Sequence, residues 1–115
     1  MGGNPNGARG ARWEKSCVEY LIPNGFPECE RRHVEGTNDR GDLVLPPGLV
    51  IECKDEQRIN LPEYMRELAV EMANADAAYG WAFVKNRRHG TAAGYAVQPI
   101  EQAVAIMRRL TGREA

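Results

Sequence analysis

Asp39-Arg40-Gly41-Asp42-Leu43-Val44-Leu45-Pro46-Pro47-Gly48-Leu49-Val50-Ile51-Glu52-Cys53-Lys54 is the stretch around which the chain is organised. It reads as two short strands joined by a tight turn at Pro46-Pro47-Gly48. Proline suits the first central position of a turn, and glycine tolerates the positive φ that turns often need. With Pro47 at the centre, Leu45 faces Leu49 and Asp42 faces Glu52. Alternation along the strands then gives one face to Leu43, Leu45, Leu49, Ile51 and Cys53, and the other to Asp42, Val44, Val50, Glu52 and Lys54.

The apolar face belongs in a core. The other face sets two carboxylates across from each other, roughly 5 Å apart, where like charges repel. A divalent cation would reverse the sign of that interaction, and hard oxygen ligands suit Mg²⁺ or Mn²⁺. The alternative is a solvent-facing strand on which Asp42, Glu52 and Lys54 are merely hydrated.

At 115 residues the chain fits one domain with one modest core, and residues 1–10 read as a flexible tail. A hydrophobic content of 43% against 27% charged residues separates it from disordered sequences. There is no apolar run near the ~20 residues that span a bilayer, and Met1–Gly10 lacks an apolar leader core. The expectation is therefore an intracellular protein with no membrane partner. Cys17, Cys29 and Cys53 form no CxxC, and neither His33 nor His89 has metal-finger spacing. All three cysteines are expected to be reduced, with Cys53 in the core.

A net charge of −1 is not that of a general nucleic-acid coat. The basic residues are nonetheless grouped: Arg9, Arg12 and Lys15; Arg31, Arg32 and Arg40; Lys85, Arg87 and Arg88; Arg108 and Arg109. Such groups either face phosphates or are ordinary solvated charge.

Outward from the central stretch, residues 11–22 read as a helix with Trp13, Cys17, Tyr20 and Leu21 at helical spacing. Glu14 borders that stripe. Pro27–Val34 reads as a polar strand, followed by a polar loop from Glu35 to Gly41. Asn60 is a plausible N-cap, with Glu63 three residues on. Leu61, Tyr64, Met65, Leu68, Met72, Ala75 and Tyr79 form the apolar stripe of a long helix that Gly80 stops. Glu63, Arg66, Glu67, Glu71 and Asn74 are assigned to its polar side. Trp81–Val84 and Tyr95–Val97 read as strands. Pro99 opens a last helix whose inner face is Ile100, Ala103, Val104, Met107 and Leu110. The order α-β-β-β-α-β-β-α predicts an α/β fold, a mixed sheet flanked by helices.

Gly41-Asp42 before a hairpin, Ile51-Glu52-Cys53-Lys54 on its second arm, and Gly80-Trp81-Ala82-Phe83-Val84-Lys85 after the long helix resemble the PD-(D/E)xK nuclease superfamily. The resemblance is nearest to the small Holliday junction resolvases of archaea and phages and runs from about Arg9 to Met107. Gly41 stands where the superfamily's name has Pro. The resemblance implies a restriction-endonuclease-like fold. It also implies a Mg²⁺-dependent, structure-selective DNA endonuclease, for which Mn²⁺ substitutes, leaving 5′-phosphate and 3′-hydroxyl ends. Asp42, Glu52 and the Cys53 backbone carbonyl would bind metal. Glu14 would reach it directly or through water, and Lys54 would orient or deprotonate the attacking water. Arg31, Arg32, Arg40, Lys85, Arg87 and Arg88 become candidate DNA contacts. Arg31 and Arg32 can equally be edge-strand charges that prevent aggregation, and the basic turn a solvated loop.

The partner implied is branched or four-way-junction DNA, whose approximate two-fold symmetry suits a homodimer. The location implied is cytoplasmic, nucleoid-associated or, for a phage protein, in the host cytoplasm. The alternatives are another nuclease of the superfamily, restriction-like or flap-processing, or a noncatalytic nucleic-acid-binding protein on the same fold.

Overall fold

Val50, Ile51, Glu52 and Cys53 are all buried, so the strand that carries them has helices on both faces. A computed structural model describes residues 5–33 and 39–114 and places this strand at the centre of a mixed α/β fold. The helices are α1 (Pro5–Leu21), α2 (Leu61–Ala75) and α3 (Ile100–Leu110). The strands are β1 (Glu30–Arg31), β2 (Leu43–Val44), β3 (Leu49–Lys54), β4 (Tyr79–Val84) and β5 (Tyr95–Val97). Their order, α-β-β-β-α-β-β-α, is the expected one. The strands form two ladders instead of one sheet: antiparallel β1-β2, and β3-β4-β5 with β3 and β4 parallel.

α1 covers one face. Trp13, Cys17 and Leu21 pack with Leu43, Ile51 and Cys53, which is the apolar face expected for the hairpin. Trp13 also donates its indole N–H to the Phe83 carbonyl at 2.9 Å, tying α1 to β4. α2 covers the other face as the crossover of a β3-α2-β4 unit. Tyr64 packs with Ala82 and Val84, while Leu68 and Met72 close over Gly80. A Cβ at Gly80 would stand 2.7 Å from Met72 Sδ and 2.9 Å from Leu68 Cδ1, so this glycine sets how closely α2 approaches the sheet.

Several boundaries differ from expectation. Residues 5–10, read as tail, are the first turns of α1; Met1–Asn4 lie outside the described residues. The Pro27–Val34 strand shrinks to Glu30–Arg31, and Val34 to Asn38 lie outside the described residues. α2 ends at Asp76, which takes the left-handed conformation at φ 50° and donates its N–H back to Ala73 and Met72. Gly80 therefore does not stop α2. It lies inside β4, as does Tyr79. The Asn60 cap is present, its side chain accepting the Glu63 N–H at 3.2 Å.

The last helix differs most. Ile100, Met107 and Leu110, assigned to an inner face, are 81%, 61% and 80% exposed. α3 is held through Gln102, whose Oε1 accepts the Gly80 N–H at 2.8 Å and whose Nε2 meets Met72 Sδ at 3.3 Å. Its apolar stripe points away from that attachment. All three cysteines are free and buried. Among the described residues, no helix is long and apolar enough to cross a membrane.

Candidate active site

Gly41 determines where Asp42 goes. It sits at φ 96°, and a Cβ there would lie 2.9 Å from Val50 Cγ1 and 3.0 Å from the Ile51 carbonyl oxygen. Only glycine accepts both the backbone conformation and the close approach. The bend brings the chain down onto β3. There the Asp42 N–H donates to the Ile51 carbonyl at 2.9 Å, and Asp42 Oδ2 accepts the Cys53 N–H at 2.7 Å.

The expected turn is present, with Leu49 N–H reaching the Pro46 carbonyl at 3.4 Å and Gly48 at φ 97°. Its arms do not form the expected strand ladder with Asp42 directly across from Glu52. Among the described residues β2 pairs with β1 alone, and the Asp42 carbonyl accepts the Arg32 N–H at 2.8 Å. Asp42 lies over residues 51–53, and its carboxyl group still comes within hydrogen-bonding reach of Glu52.

β3 turns Glu52 and Lys54 toward α2. Glu52 is buried, with Oε1 3.8 Å from Lys54 Nζ. Lys54 Nζ bonds Glu67 Oε2 at 2.6 Å and lies 5.1 Å from the Tyr64 ring centroid. Burial alone would lower the Lys54 pKa, but Glu67, Glu52 and Glu56 outweigh it and the net shift is upward, favouring the ammonium form.

Glu71 was misassigned to the polar side of α2. It is only 3% exposed and lies against Glu52. At 100° per residue, Tyr64, Leu68, Glu71 and Ala75 fall within an arc of ~60°, so Glu71 belongs to the stripe that faces the sheet. The signal was an acid inside an apolar stripe, one turn from Glu67. Asp39 completes the group. Single carboxylate oxygens of Asp39, Glu52 and Glu71 all lie within 4.8 Å of one another.

This concentration of acids resists ionisation. Burial, then the charge of Glu52, pushes Asp42 up to about 8, against the bond from Cys53 N–H. Burial, then Glu71, pushes Glu52 up to about 9, and burial chiefly raises Glu71 to about 7. Among the described residues, Glu52 Oε2 and Glu71 Oε1 are buried without a hydrogen-bond partner. A buried anionic oxygen in that state costs several kcal/mol, on the order of 2–7, unless a proton or a cation meets it. Hard carboxylate oxygens with orphaned lone pairs fit a divalent cation.

Glu14 points toward the same region from α1, and its charge is felt at Asp42. Its Oε1 accepts from Arg31 Nε at 3.0 Å, so Arg31 is engaged with a site acid. Arg32 lies beside Asp42, with a buried Nε lacking a partner among the described residues. Arg40 is exposed next to Gly41. Lys85 follows β4, donating its N–H to the Lys54 carbonyl at 2.9 Å, and its ammonium lies 5.9 Å from the Trp13 ring centroid. Arg87 pairs with Asp55 at 3.1 Å, and Arg88 is exposed at φ 68°. β1–β2 thus brings Arg31 and Arg32 to the Asp42 end. β3 and β4 bring Lys85 and Arg87 past Lys54, at the carboxyl ends of the parallel strands. A cleft of about 610 Å³ opens beside Lys54, lined by Arg9, Arg58, Asp55 and Glu67 among others.

The Cys53 side chain is buried beside Cys17, as its inward assignment requires. Comparison of the chain with protein-family models, with curated proteins and with solved structures gives no match.

Proposed function

We propose that this protein is a Mg²⁺-dependent DNA endonuclease of the PD-(D/E)xK type, selective for branched substrates such as four-way junctions. One observation carries the reading: Asp42, Glu52 and Lys54 converge, while two buried carboxylate oxygens, on Glu52 and Glu71, lack a donor among the described residues. Asp42, Glu52 and the Cys53 carbonyl would hold the ion, with Glu14 directly or through water. When bound, a divalent cation supplies Lewis-acid polarisation of phosphoryl oxygen and a nucleophile at neutral pH.

The chain's own groups do the rest. The Cys53 N–H fixes the orientation of the Asp42 carboxylate. Glu67 and Tyr64 hold the Lys54 ammonium beside Glu52, where it would donate to a phosphoryl oxygen and stabilise charge gathered in the transition state. Water oxygen would bond to phosphorus as the P–O3′ bond breaks, water giving up one proton to solvent and the departing O3′ taking one up, which leaves a 5′-phosphate and a 3′-hydroxyl. Arg32, Arg40, Lys85 and Arg88 are the basic groups best placed to meet backbone phosphates, whereas Arg31 and Arg87 must first leave Glu14 and Asp55.

A homodimer supports paired cuts in a two-fold substrate. The exposed α3 face of Ile100, Met107 and Leu110 is its proposed interface. Glu101 lies in the first turn of α3 and Arg108 and Arg109 in the last, so antiparallel pairing with a second copy joins opposite charges. Leu110→Glu is then expected to halve the mass in solution at micromolar concentration. A wild-type chain that is already monomeric there overturns the dimer.

The test of the function is cleavage of an end-labelled four-way junction beside a linear duplex of the same sequence, in Mg²⁺ and in EDTA. Metal-dependent paired nicks confined to the junction support it. Equal cutting of both retains the nuclease and removes junction selectivity. No cutting in Mg²⁺ or Mn²⁺ by folded protein that binds the junction overturns it.

A further inference from the structure

The acids around β3 exceed what one ion held by Asp42 and Glu52 would use. Glu71 enters from α2 and Asp39 from the chain before Gly41, on the side of Glu52 that faces the helix. Two bonds brace Asp39 there. Its Oδ1 accepts the Gly41 N–H at 2.9 Å, and its backbone carbonyl accepts from Asn74 Nδ2 at 2.7 Å, three residues after Glu71 on α2. Glu52 directs Oε1 toward Lys54, and among the described residues Glu52 Oε2 and Glu71 Oε1 are left buried and unpartnered. Both side chains are more than nine-tenths buried, at 7% and 3% exposure. Lys54 pairs with Glu52, and Glu67 holds it more closely than Glu52 does, at 2.6 Å against 3.8 Å.

We infer that Asp39, Glu52 and Glu71 form a second divalent-cation subsite, sharing Glu52 with the ion that Asp42 would hold. The geometry suits a hard cation. Octahedral ligands at about 2.0–2.1 Å place neighbouring oxygens about 2.9 Å apart and opposite ones about 4.1 Å apart. Oxygens already within 4.8 Å of one another reach those spacings through small side-chain rotations. A cation held by Asp39, Glu52 and Glu71 would add Lewis-acid polarisation of phosphoryl oxygen to the same site. That role rests on the nuclease reading; the subsite itself does not.

Binding, not activity, is the test. Mn²⁺ is titrated into the full chain at pH 8 and free ion is read by electron paramagnetic resonance, for wild type, Glu71→Gln, Asp39→Asn and Asp42→Asn. Two ions per wild-type chain are expected, with Glu71→Gln and Asp39→Asn each weakening one binding step at least tenfold. Asp42→Asn should weaken the other step while the subsite still fills. Glu71→Gln keeps the side-chain shape and removes a buried charge, so its melting temperature in EDTA at pH 8 should be no lower than wild type, which guards against misfolding. One ion per wild-type chain that Asp42→Asn removes and Glu71→Gln leaves in place, or Mn²⁺ binding untouched by Glu71→Gln in folded protein, overturns the subsite; one ion that Glu71→Gln removes upholds the subsite and overturns the Asp42 site. Two ions in a protein that cuts no DNA would uphold the subsite and refute the nuclease.

Discussion

Without metal, the buried acids should make this protein less stable as pH rises, the reverse of the usual trend for carboxylates. Asp42, Glu52 and Glu71 are pushed up to about 8, 9 and 7, chiefly by burial. In the unfolded chain all three ionise near pH 4, at roughly 3.9 for Asp and 4.3 for Glu. Between those limits the folded chain holds more protons, so the free energy of unfolding falls as pH increases. The contribution is fully present below about pH 4 and is lost as pH climbs through the folded values. If the cluster holds a single excess proton, the slope is about 1.4 kcal/mol per pH unit. From pH 5.5 to 7.0 that is ~2 kcal/mol, or roughly 8 °C in melting temperature for a domain of this size.

The assay is thermal unfolding in EDTA across pH 5.5–8.5, repeated with excess Mn²⁺. A bound ion replaces the protons, so the metal-induced rise should be small at pH 5.5 and grow to several degrees by pH 8. Glu52→Gln should make the EDTA profile shallower, because an amide cannot ionise while buried Asp42 and Glu71 still do. An EDTA melting temperature that stays level or rises from pH 5.5 to 7.0 would refute the electrostatic reasoning.

Gly41→Ala forces a Cβ onto Val50 and the Ile51 carbonyl at φ 96°; left-handed strain of about 1–2 kcal/mol and overpacking of about 1–3 predict a loss of ~2–5 kcal/mol in urea unfolding. A loss below ~0.5 kcal/mol would mean the bend is not needed. Trp13→Phe leaves the Phe83 carbonyl without its indole donor and should cost ~1–3 kcal/mol in the same assay, with an unchanged value contradicting the α1–β4 tie. Lys54→Met should keep the fold and the Mn²⁺-induced rise in melting temperature. It should also lower cleavage by ~100-fold or more, as removal of a transition-state donor does, and a fall in both readouts would mean Lys54 only supports the fold.

The hairpin stretch was legible because its signals are local. Proline-glycine chemistry fixed the turn, and alternation separated Leu43, Ile51 and Cys53 from Glu52 and Lys54. The long helix was legible from its stripe and its Asn60 cap. Three features depended on what lies across the fold. Glu71 was placed with the polar residues by its charge, although its spacing from Tyr64 and Leu68 puts it over β3. α3 has a strong apolar stripe, which says that something covers it but not that the covering surface belongs to the same chain. The hairpin arms were expected to pair, yet Gly41 bends the chain and the β2 backbone bonds to β1, which leaves Asp42 to meet Cys53 through its side chain. The acids themselves show the same limit: Asp42 and Glu52 stood out as a pair, and Asp39 and Glu71 became visible only when α2 closed over the strand.

We propose that the carboxylates around β3 serve metal-dependent DNA hydrolysis. The most direct test compares wild type with Glu52→Gln on an end-labelled four-way junction in Mn²⁺, with junction binding followed in parallel by fluorescence anisotropy. Wild type is expected to leave nicks that EDTA abolishes and that Glu52→Gln lacks, while both proteins still bind the junction. Wild-type protein that binds without nicking, or Glu52→Gln that nicks as fast as wild type, would contradict it.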